Sequence, residues 1–586
     1  MQNHRSPIRI LGGLILASIL LISGCSGSTT TPLVAPTAAP TASVDLPSIT
    51  SASPDRTELP RYESLELTVA LKAKYTNPYD LRQVSLDGVF IGPDGKQMKV
   101  PGFWDGEAAW QVRFTPSQVG VWSYQLTVTD GRGASQPYTG TFTVTASDLH
   151  GWLQAGNWVN PAYSGHYLVY QDGTPFYGIG HDDAFNLLGD GFNINQGVGL
   201  FDKMKSVGEN YVVWWPEWSN PLLSITYNDY TLSNMKVIDM IVADAQKKGI
   251  FLVYTIWDHP ELRDKTHKTS GGRWDGNGFS KLGDINSFFT SPEAWAWQEN
   301  LYRYIIARWG YSPAIGMWQT VSEISETNAY DQTNPWHKKV NDYFVANDPY
   351  HHPTTASMKG GLDWPEGHKV MDMPQMHVYD FTNNSLKVDP VLAAKKMADW
   401  TILMWNRVDK PNWVGETGSA LAQNYPELFH NFIWAALASG AAMEPAEWNF
   451  GNNYASLLPL ISTDQSRLTQ FVSGLPLAQW DPQPLQVTSL DPQVRGWGVA
   501  GKDGGLFWVQ DFSLEGKPIE AVRKDQTFHK GVQVQLGGLA GAYTITPYDT
   551  LQGTYLAAIS VNCAQGQPCT VNLPDFKADM AFKIER

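Results

Sequence analysis

The feature that most constrains this chain is an alternation, from about Gly151 to Gly474, of short apolar runs with helix-length amphipathic segments. Runs such as "IFLVYTIW" are typical of buried parallel strands, and segments such as "NMKVIDMIVADAQKKG" repeat apolar residues every three or four positions. Eight such units predict a (β/α)8 barrel, here given the bounds 150–478. A doubly wound open sheet is the alternative, but no glycine-rich phosphate loop follows the first strand.

The segments on either side of the barrel have a different pattern. Short runs of alternating polarity, such as "LELTVAL" before the barrel and "GLFWVQDF" after it, are separated by turn signals. This pattern predicts an immunoglobulin-like β-sandwich over residues 56–147 and a second β-sandwich over 484–586. The expected architecture is therefore a barrel flanked by two all-β domains.

The first residues have the pattern of an export signal. A basic start, an apolar run and the tail "LISGC" resemble a bacterial lipoprotein signal, with cleavage before Cys25 and lipid on its sulfur. An ordinary signal peptide is the alternative. Residues 26–55 are rich in Thr, Pro, Ala and Ser, which predicts a disordered linker. We therefore expect residues 1–25 to export and anchor a lipoprotein at the cell surface or membrane.

Composition narrows the choice of partner. The net charge is -15 with no basic stripe, which argues against nucleic acid. The 24 Trp and 25 Tyr residues suit stacking on sugar faces, although large barrel and β-sheet cores also use tryptophan. Cys563 and Cys569 flank a short turn in a chain predicted to be exported, so a disulfide is expected; a zinc site is the weaker alternative because no further Cys pair or His cluster is nearby.

Active sites of such barrels form where the strands end, so the residues that close the predicted strands are the candidates for function. The predicted strands begin at Phe176, Asn210, Ile250, Ala314, Thr354, Met373, Asn412 and Ala442. The residues that close them are His181, Asp182 and Asp183; Trp214, Trp215 and Glu217; Trp257, Asp258 and His259; Ser322 and Glu323; His377 and Tyr379; Glu416; Glu447 and Trp448. Carboxylates, imidazoles and indoles without a lysine nucleophile suit acid–base chemistry on a neutral polyhydroxylated substrate.

Two motifs in strand order carry a family resemblance. Glu323 in "WQTVSEI" closes the fourth predicted strand, and Glu416 in "NWVGETG" closes the seventh. With His377 and Tyr379 in "MHVYD" and Trp448 in "AEWNF", the barrel resembles the retaining glycoside hydrolases that include the family 5 cellulases and mannanases. The segment "FWDGEAAWQVRFTPSQVGVWSYQLTV" is similar to an immunoglobulin-like domain often found ahead of such bacterial barrels.

The resemblance implies a role for each matched residue. Glu416 would be the nucleophile and Glu323 the general acid and base, with a raised pKa caused by burial and by the charge of Glu416. Tyr379 would hydrogen-bond Glu416, His377 would bind a sugar hydroxyl and Trp448 would stack under the ring. Of the remaining strand-end residues, His181, Asp182, Trp215, Trp257 and Ser322 are predicted to line the substrate site.

One residue departs from the family pattern, in which an asparagine precedes the acid/base glutamate. Here that residue is Ser322, whose side chain is shorter. Either the substrate differs around its 2-hydroxyl, or the barrel binds glycans without cleaving them. Asp258 and His259 also suggest a metal site, but the first strand lacks the His-x-His of barrel metallohydrolases.

The expectation is therefore a lipid-anchored enzyme that cleaves β-linked polysaccharides or oligosaccharides with retention and uses no cofactor or metal. A non-catalytic glycan-binding lipoprotein with a degenerate barrel is the alternative. The insertion "PELRDKTHKTSGGRWDGNGFSKLGDINSFFTS" is expected to wall one side of the cleft.

Overall fold

The N-terminal part of the chain folds into two antiparallel sheets. In "LELTVALK" the buried residues Leu65, Leu67 and Val69 alternate with more exposed ones, which gives the strand one apolar face. The strands are β1 (Ser48–Pro54), β2 (Glu58–Pro60), β3 (Leu65–Lys72), β4 (Val84–Ile91), β5 (Gln97–Pro101), β6 (Phe103–Gly106), β7 (Ala109–Phe114), β8 (Gly120–Asp130), β9 (Gly133–Ala134) and β10 (Tyr138–Thr145). Sheets β1-β3-β7-β6 and β2-β10-β8-β4-β5, with β9 beside β8, share one apolar core.

The structure, a computed structural model, describes residues 45–106, 109–183, 187, 197–216, 228–379, 389–418, 425–448 and 454–586. The predicted signal peptide, the lipid-anchor Cys25 and most of the predicted linker lie outside these residues, as does Glu217. The prediction that the linker extends to residue 55 is wrong, because Ser48–Pro54 pairs antiparallel with β3 and buries Ala52. The other domain boundaries stay predictions.

The barrel is an eight-stranded parallel sheet. In the chain it is preceded by a short antiparallel pair, β11 (Leu153–Ala155) and β12 (Leu168–Tyr170). Its strands are β13 (Gly180–Asp182), β14 (Tyr211–Trp214), β15 (Phe251–Asp258), β16 (Ile315–Ser322), β17 (Thr354–Thr355), β18 (Gln375–Val378), β19 (Trp413–Gly418) and β20 (Glu447–Trp448). The order β17-β16-β15-β14-β13-β20-β19-β18 runs around the barrel. Contacts from Thr355 to Met373 and Gln375 link the two end strands, so the barrel predicted from the sequence is confirmed as nearly closed.

Helices cover the outside of the barrel, as the amphipathic segments predict. Every residue of β15 and β16 is buried because the sheet is covered on both faces. The helices are α1 (Gly156–Val159), α2 (Gly199–Val207), α3 (Leu232–Lys248), α4 (Ile285–Thr290), α5 (Pro292–Trp309), α6 (Thr333–Asn347), α7 (Pro365–Val370), α8 (Pro390–Arg407), α9 (Pro426–Ala438), α10 (Tyr454–Val472) and α11 (Leu477–Trp480). Local signals set their starts: Ser291 and Asp389 cap α5 and α8, each followed by proline.

The C-terminal part returns to antiparallel sheets. Its elements are β21 (Gln483–Pro484), β22 (Val487–Ser489), β23 (Val494–Ala500), β24 (Gly504–Asp511), α12 (Ile519–Lys524), β25 (Gln533–Leu536), β26 (Gly541–Asp549), β27 (Thr554–Tyr555), β28 (Ile559–Cys563), β29 (Cys569–Asn572) and β30 (Asp579–Glu585). They form a seven-stranded and a three-stranded sheet. Cys563 and Cys569 form a disulfide between β28 and β29. The immunoglobulin type of the flanking sheets stays a prediction.

Residues Leu46–Arg586 form one compact unit, and ion pairs join its parts. Asp239 on α3 accepts from Arg113 of β7 and from Arg308 of α5, and both guanidinium groups are almost fully buried. This network fixes the N-terminal sheets against the barrel helices. Of the helices in the described parts of the chain, none has the length and apolar character needed to cross a bilayer.

Candidate active site

Two glutamates lie together at the carboxyl ends of the barrel strands. Glu323 directly follows β16, and Glu416 lies in β19. A carboxylate oxygen of each and a ring nitrogen of His377 lie within 4.8 Å of one another. The expected pairing of the fourth and seventh strands is therefore present in the structure, with an imidazole between the two acids.

Glu323 is held in an unusual backbone conformation. Its φ of 52° and ψ of 48° are left-handed, which costs a non-glycine residue about 1 kcal/mol or more. Ser357, which follows β17, supports this turn: its hydroxyl accepts the Glu323 N–H at 2.9 Å and its carbonyl accepts the Ile324 N–H at 3.0 Å. The strained turn directs the carboxylate of Glu323 away from the line of β16 toward His377.

Glu416 is the more deeply buried acid. One carboxylate oxygen accepts a hydrogen bond from the Tyr379 hydroxyl, as the family resemblance implies. The other, Oε2, is buried without a hydrogen-bond partner among the described residues and lies 3.3 Å from His377 Nδ1. The same nitrogen is 3.0 Å from Glu323 Oε1. His377 thus lies within reach of both carboxylates and hydrogen-bonds to Glu323.

The pKa order of the two acids is opposite to the one expected from the sequence. Burial alone raises the pKa of Glu323, but the hydrogen bond and charge of His377 outweigh it and lower that pKa to about 2. Burial raises the pKa of Glu416 to about 8, and the charges of Glu323 and Asp182 add to the effect. The expectation that Glu323 has the raised pKa is wrong for this structure, because His377 hydrogen-bonds Glu323 rather than Glu416.

Several other predicted residues lie close to this pair. Asp182 ends β13 close enough for its charge to raise the pKa of both Glu416 and Tyr379. Trp448, partly exposed in β20, pairs with β13 and β19 on either side. Trp215 packs edge-on against His259 at 5.8 Å, and His259 Nδ1 lies 3.9 Å from Glu323 Oε2. Trp448 therefore lies on the strand next to that of Glu416, and Trp215 contacts a histidine that approaches Glu323.

Two predicted substrate contacts are placed elsewhere. Trp257 is fully buried, donates to the Tyr302 hydroxyl at 3.0 Å and packs edge-on against Phe279 and Phe288. His181 is also buried and pairs with Glu209 at 3.1 Å. The prediction that Trp257 contacts substrate is wrong, because its side chain points into the layer between strand and helices, and His181 belongs to a buried polar network.

Ser322 stands where the family pattern has asparagine. It is fully buried at the end of β16, and its hydroxyl has no hydrogen-bond partner among the described residues. A polar atom without a partner next to Glu323 leaves one hydrogen bond for a ligand to make.

The predicted insertion packs beside Glu323 through Glu326. Glu326 is 3% exposed, accepts from the Thr269 hydroxyl, and lies 3.8 Å from Arg263 and 3.4 Å from Lys359. It therefore ties the insertion to the loop that carries Glu323. A buried acid four residues after a strand end has no local sequence signal, because its cations come from distant loops.

The acid pair and the histidine between them also have the donor atoms of a metal site. Glu323, His377 and Glu416 are the one group of three potential ligands found among the described residues. Their mutual hydrogen bond and close approach are explained by proton sharing between an imidazole and two carboxyl groups. The donor set does not require a metal.

Comparisons with known proteins give one match to the N-terminal sheets and others to a larger part of the chain. Residues 58–129, in the N-terminal sheets, match the family model described as a domain of unknown function, DUF5060. No functionally curated protein matches the sequence. A candidate glycoside hydrolase from Bacteroides vulgatus ATCC 8482 superposes over 90% of this chain and 100% of its own, with a TM-score of 0.63 and 17% identity.

This chain has the same fold as the candidate glycoside hydrolase from Bacteroides vulgatus. Other solved structures that resemble this chain include further glycoside hydrolases. A family 5 enzyme from Bacteroides vulgatus is 12% identical over 72% of this chain and 92% of its own, with a TM-score of 0.47. An endo-1,4-beta-mannanase from Rhizomucor miehei is 18% identical over 52% of this chain and 98% of its own, with a TM-score of 0.38. The resemblance predicted from the sequence is confirmed at the level of the fold.

Proposed function

We propose that this protein is a glycoside hydrolase that cleaves β-linked glycans with retention of configuration. The observation that carries the proposal is the Glu323–Glu416 pair, whose facing oxygens lie within 4.8 Å. Retaining enzymes hold their two carboxyl groups about 5 to 5.5 Å apart, whereas inverting enzymes need about 6.5 to 9.5 Å for a water molecule. The short separation supports the double-displacement route.

In the first step a Glu416 oxygen attacks the anomeric carbon, the bond from that carbon to the glycosidic oxygen breaks, and Glu323 gives its proton to the leaving oxygen. In the second step water attacks the same carbon, Glu323 takes the water proton, and the bond to Glu416 breaks. Both acids end as they began. Tyr379 donates to Glu416 and holds it aimed at the sugar.

The Glu323–Glu416 pair carries one proton, and in the first step this proton must be on Glu323 when Glu416 attacks. In the free protein the pKa order favours it on Glu416, with His377 bonded to Glu323. Because His377 Nδ1 lies only 3.3 Å from Glu416 Oε2, a small movement of the ring donates its N–H to Glu416 instead. That exchange stabilises ionised Glu416 and leaves the proton on Glu323, so His377 sets the protonation order in this proposal.

Ser322 and the predicted signal peptide complete the proposal. Serine is too short to make the contact that asparagine makes to a sugar 2-hydroxyl, so we expect a substrate that differs there or reaches the Ser322 hydroxyl by another group. The resemblance of residues 1–25 to a lipoprotein signal supports an exported protein held at a membrane by lipid on Cys25.

The test is a screen of the chain against aryl β-glycosides and plant glycans. Release of product that disappears in Glu323→Ala and Glu416→Ala, with azide restoring part of it in Glu416→Ala, supports the mechanism. Detection of the first-formed anomer by NMR distinguishes retention from inversion. Binding of glycans without release, unchanged in both variants, identifies a non-catalytic glycan-binding protein and overturns the proposal.

A further inference from the structure

A cavity lies at the opposite end of the barrel from the catalytic pair. Its volume is about 310 Å³, near the lower end of ligand pockets, and its lining residues are Gln154, Trp158, Val345, His351, His352 and Asp372. His352 precedes β17 and Asp372 precedes β18, so the cavity adjoins the amino ends of these strands. Glu323 and Glu416 lie at the carboxyl ends.

Trp158 forms one wall of the cavity and is unusually exposed. Its exposed fraction is 46%, and it is the one tryptophan among the exposed large hydrophobic side chains of the described residues. An exposed indole in a chain that buries its other described tryptophans more deeply leaves apolar surface in water. A flat ring at the edge of a polar cavity fits the apolar face of a pyranose.

His352 brings a buried ring nitrogen that has no hydrogen-bond partner among the described residues to the cavity. Its Nδ1 lies 2.7 Å from Asp348 Oδ2, and the pKa of Asp348, which burial raises, is lowered overall by His352 and by the indole N–H of Trp318. Because a carboxylate only accepts, Nδ1 carries a hydrogen and donates it to Asp348. His352 is 3% exposed, and Nε2 has no partner among the described residues.

Asp372 adds a carboxylate acceptor to the same cavity. Its Oδ2 accepts the N–H and hydroxyl of Thr354 at 3.1 and 2.8 Å, which leaves Oδ1 for a ligand. A carboxylate oxygen and an unpartnered imidazole nitrogen beside an aromatic face call for a ligand with an apolar ring face and several hydroxyl groups, which both donate and accept. In the described part of the chain no group of three metal ligands occurs at this place, so a sugar satisfies the cavity better than a cation.

We propose that this cavity is a second glycan-binding site, which holds a pyranose unit of a neutral polysaccharide between Trp158, His352 and Asp372. The proposal rests on the proposed function, because it takes the substrate polymer as the ligand. A second contact on the opposite end of the barrel would keep the enzyme on a long polymer between cleavages and increase the effective concentration of chain at the catalytic cleft.

The test is affinity electrophoresis of the full chain in gels that contain glucomannan or mixed-linkage β-glucan. The Glu416→Gln background prevents cleavage during the run. Retardation by at least one polymer is expected, and Trp158→Ala should raise the dissociation constant about tenfold by removing the stacking face. Phe528→Ala is the matched control, because Phe528 is similarly exposed at 55% and does not line the cavity.

Asp372→Asn gives a second measurement that preserves shape, and it should also weaken retardation because an acceptor is exchanged for a mixed donor and acceptor. Equal retardation of Trp158→Ala and Phe528→Ala, or no retardation of the parent, overturns the second site. A halved mass of Trp158→Ala in sedimentation also overturns it, since a second copy of the chain would then be the occupant. Hydrolysis of aryl glycosides by the unmodified chain tests the proposed function separately, so the two failures are distinguishable.

Discussion

His377 and His430 are both buried and each lies between two carboxyl groups, yet their surroundings differ. His377 lies between Glu323 and Glu416 at the carboxyl ends of the barrel strands. His430 on α9 lies between Asp464 of α10 and Asp579 of β30, at 3.1 Å from each, and joins the barrel to the C-terminal sheet.

The difference is in how completely the acids are hydrogen-bonded. Asp579 also accepts from the Trp508 indole and the Thr550 hydroxyl, and Asp464 accepts from Arg467. With both acids satisfied, the pKa of His430, although lowered by burial, is raised overall to about 10 by the two carboxylates. Glu416 instead keeps one buried oxygen without a partner among the described residues. A cluster in which every acid is hydrogen-bonded suits a structural role, whereas an acid with an unpartnered oxygen suits the proton transfer of the proposed mechanism.

The largest effect is expected at the cluster of Glu323, His377 and Glu416. Glu416→Gln should reduce aryl glycoside hydrolysis on the order of 10⁴-fold or more, because the nucleophile is lost. The Tm at pH 9 should equal or exceed that of the unmodified protein. The folded-state pKa of about 8 means that Glu416 favours folding at low pH and that this contribution is lost as the pH rises through 8. A marked loss of Tm would show that Glu416 is instead a structural acid.

The next effect concerns the cluster of His430, Asp464 and Asp579. His430→Gln should lower the free energy of unfolding at pH 7 by about 3 to 5 kcal/mol, since two buried carboxylates lose their cation. The folded-state pKa of about 10 lies above the ordinary histidine value, so the contribution is full below about pH 6.5 and is lost as the pH rises through 10. Urea unfolding of both proteins from pH 6 to 10 measures it. A constant difference across that range would contradict a charged His430.

A smaller effect is expected for His377→Ala. Catalysis should fall about 10²-fold, because protonation of the acid pair is no longer ordered. His377 lowers the pKa of both glutamates, so both limbs of the pH profile of kcat/KM should move to higher pH in the variant. The remote His430→Gln provides the control, with limbs at the positions of the unmodified protein. Unmoved limbs in His377→Ala would remove His377 from the proton-sharing role.

The smallest expected effect is the pH dependence of kcat/KM in the unmodified protein. Activity needs one proton on the pair, so kcat/KM should be maintained near neutrality and fall about tenfold per pH unit above about 8, where Glu416 loses the last proton. Stopped assays with buffers from pH 4 to 10 define the limb. A fall that begins near pH 5 would place the last proton on an acid of ordinary pKa.

Much of the site was predictable because it depends on strand order. "WQTVSEI" and "NWVGETG" close strands that the barrel topology brings together, and Tyr379 follows its strand at the expected place. The failures are of another kind. Trp257 also closes a strand, but its side chain points into the aromatic layer around Tyr302. Successive side chains of a strand point alternately into the cleft and into the core. At a strand end, where the chain bends, the sequence does not show which of these directions a given side chain takes.

The sequence by itself determined the (β/α)8 barrel, the all-β character of the flanking segments and the pairing of Glu323 with Glu416, because these follow from local periodicity and from the rule that parallel strands end together. Only the tertiary structure decided the pKa order of that pair, the burial of Glu326 and the cavity beside Trp158. Each of these depends on groups that are far apart in the chain, and desolvation and hydrogen bonding act over distances that sequence spacing does not record.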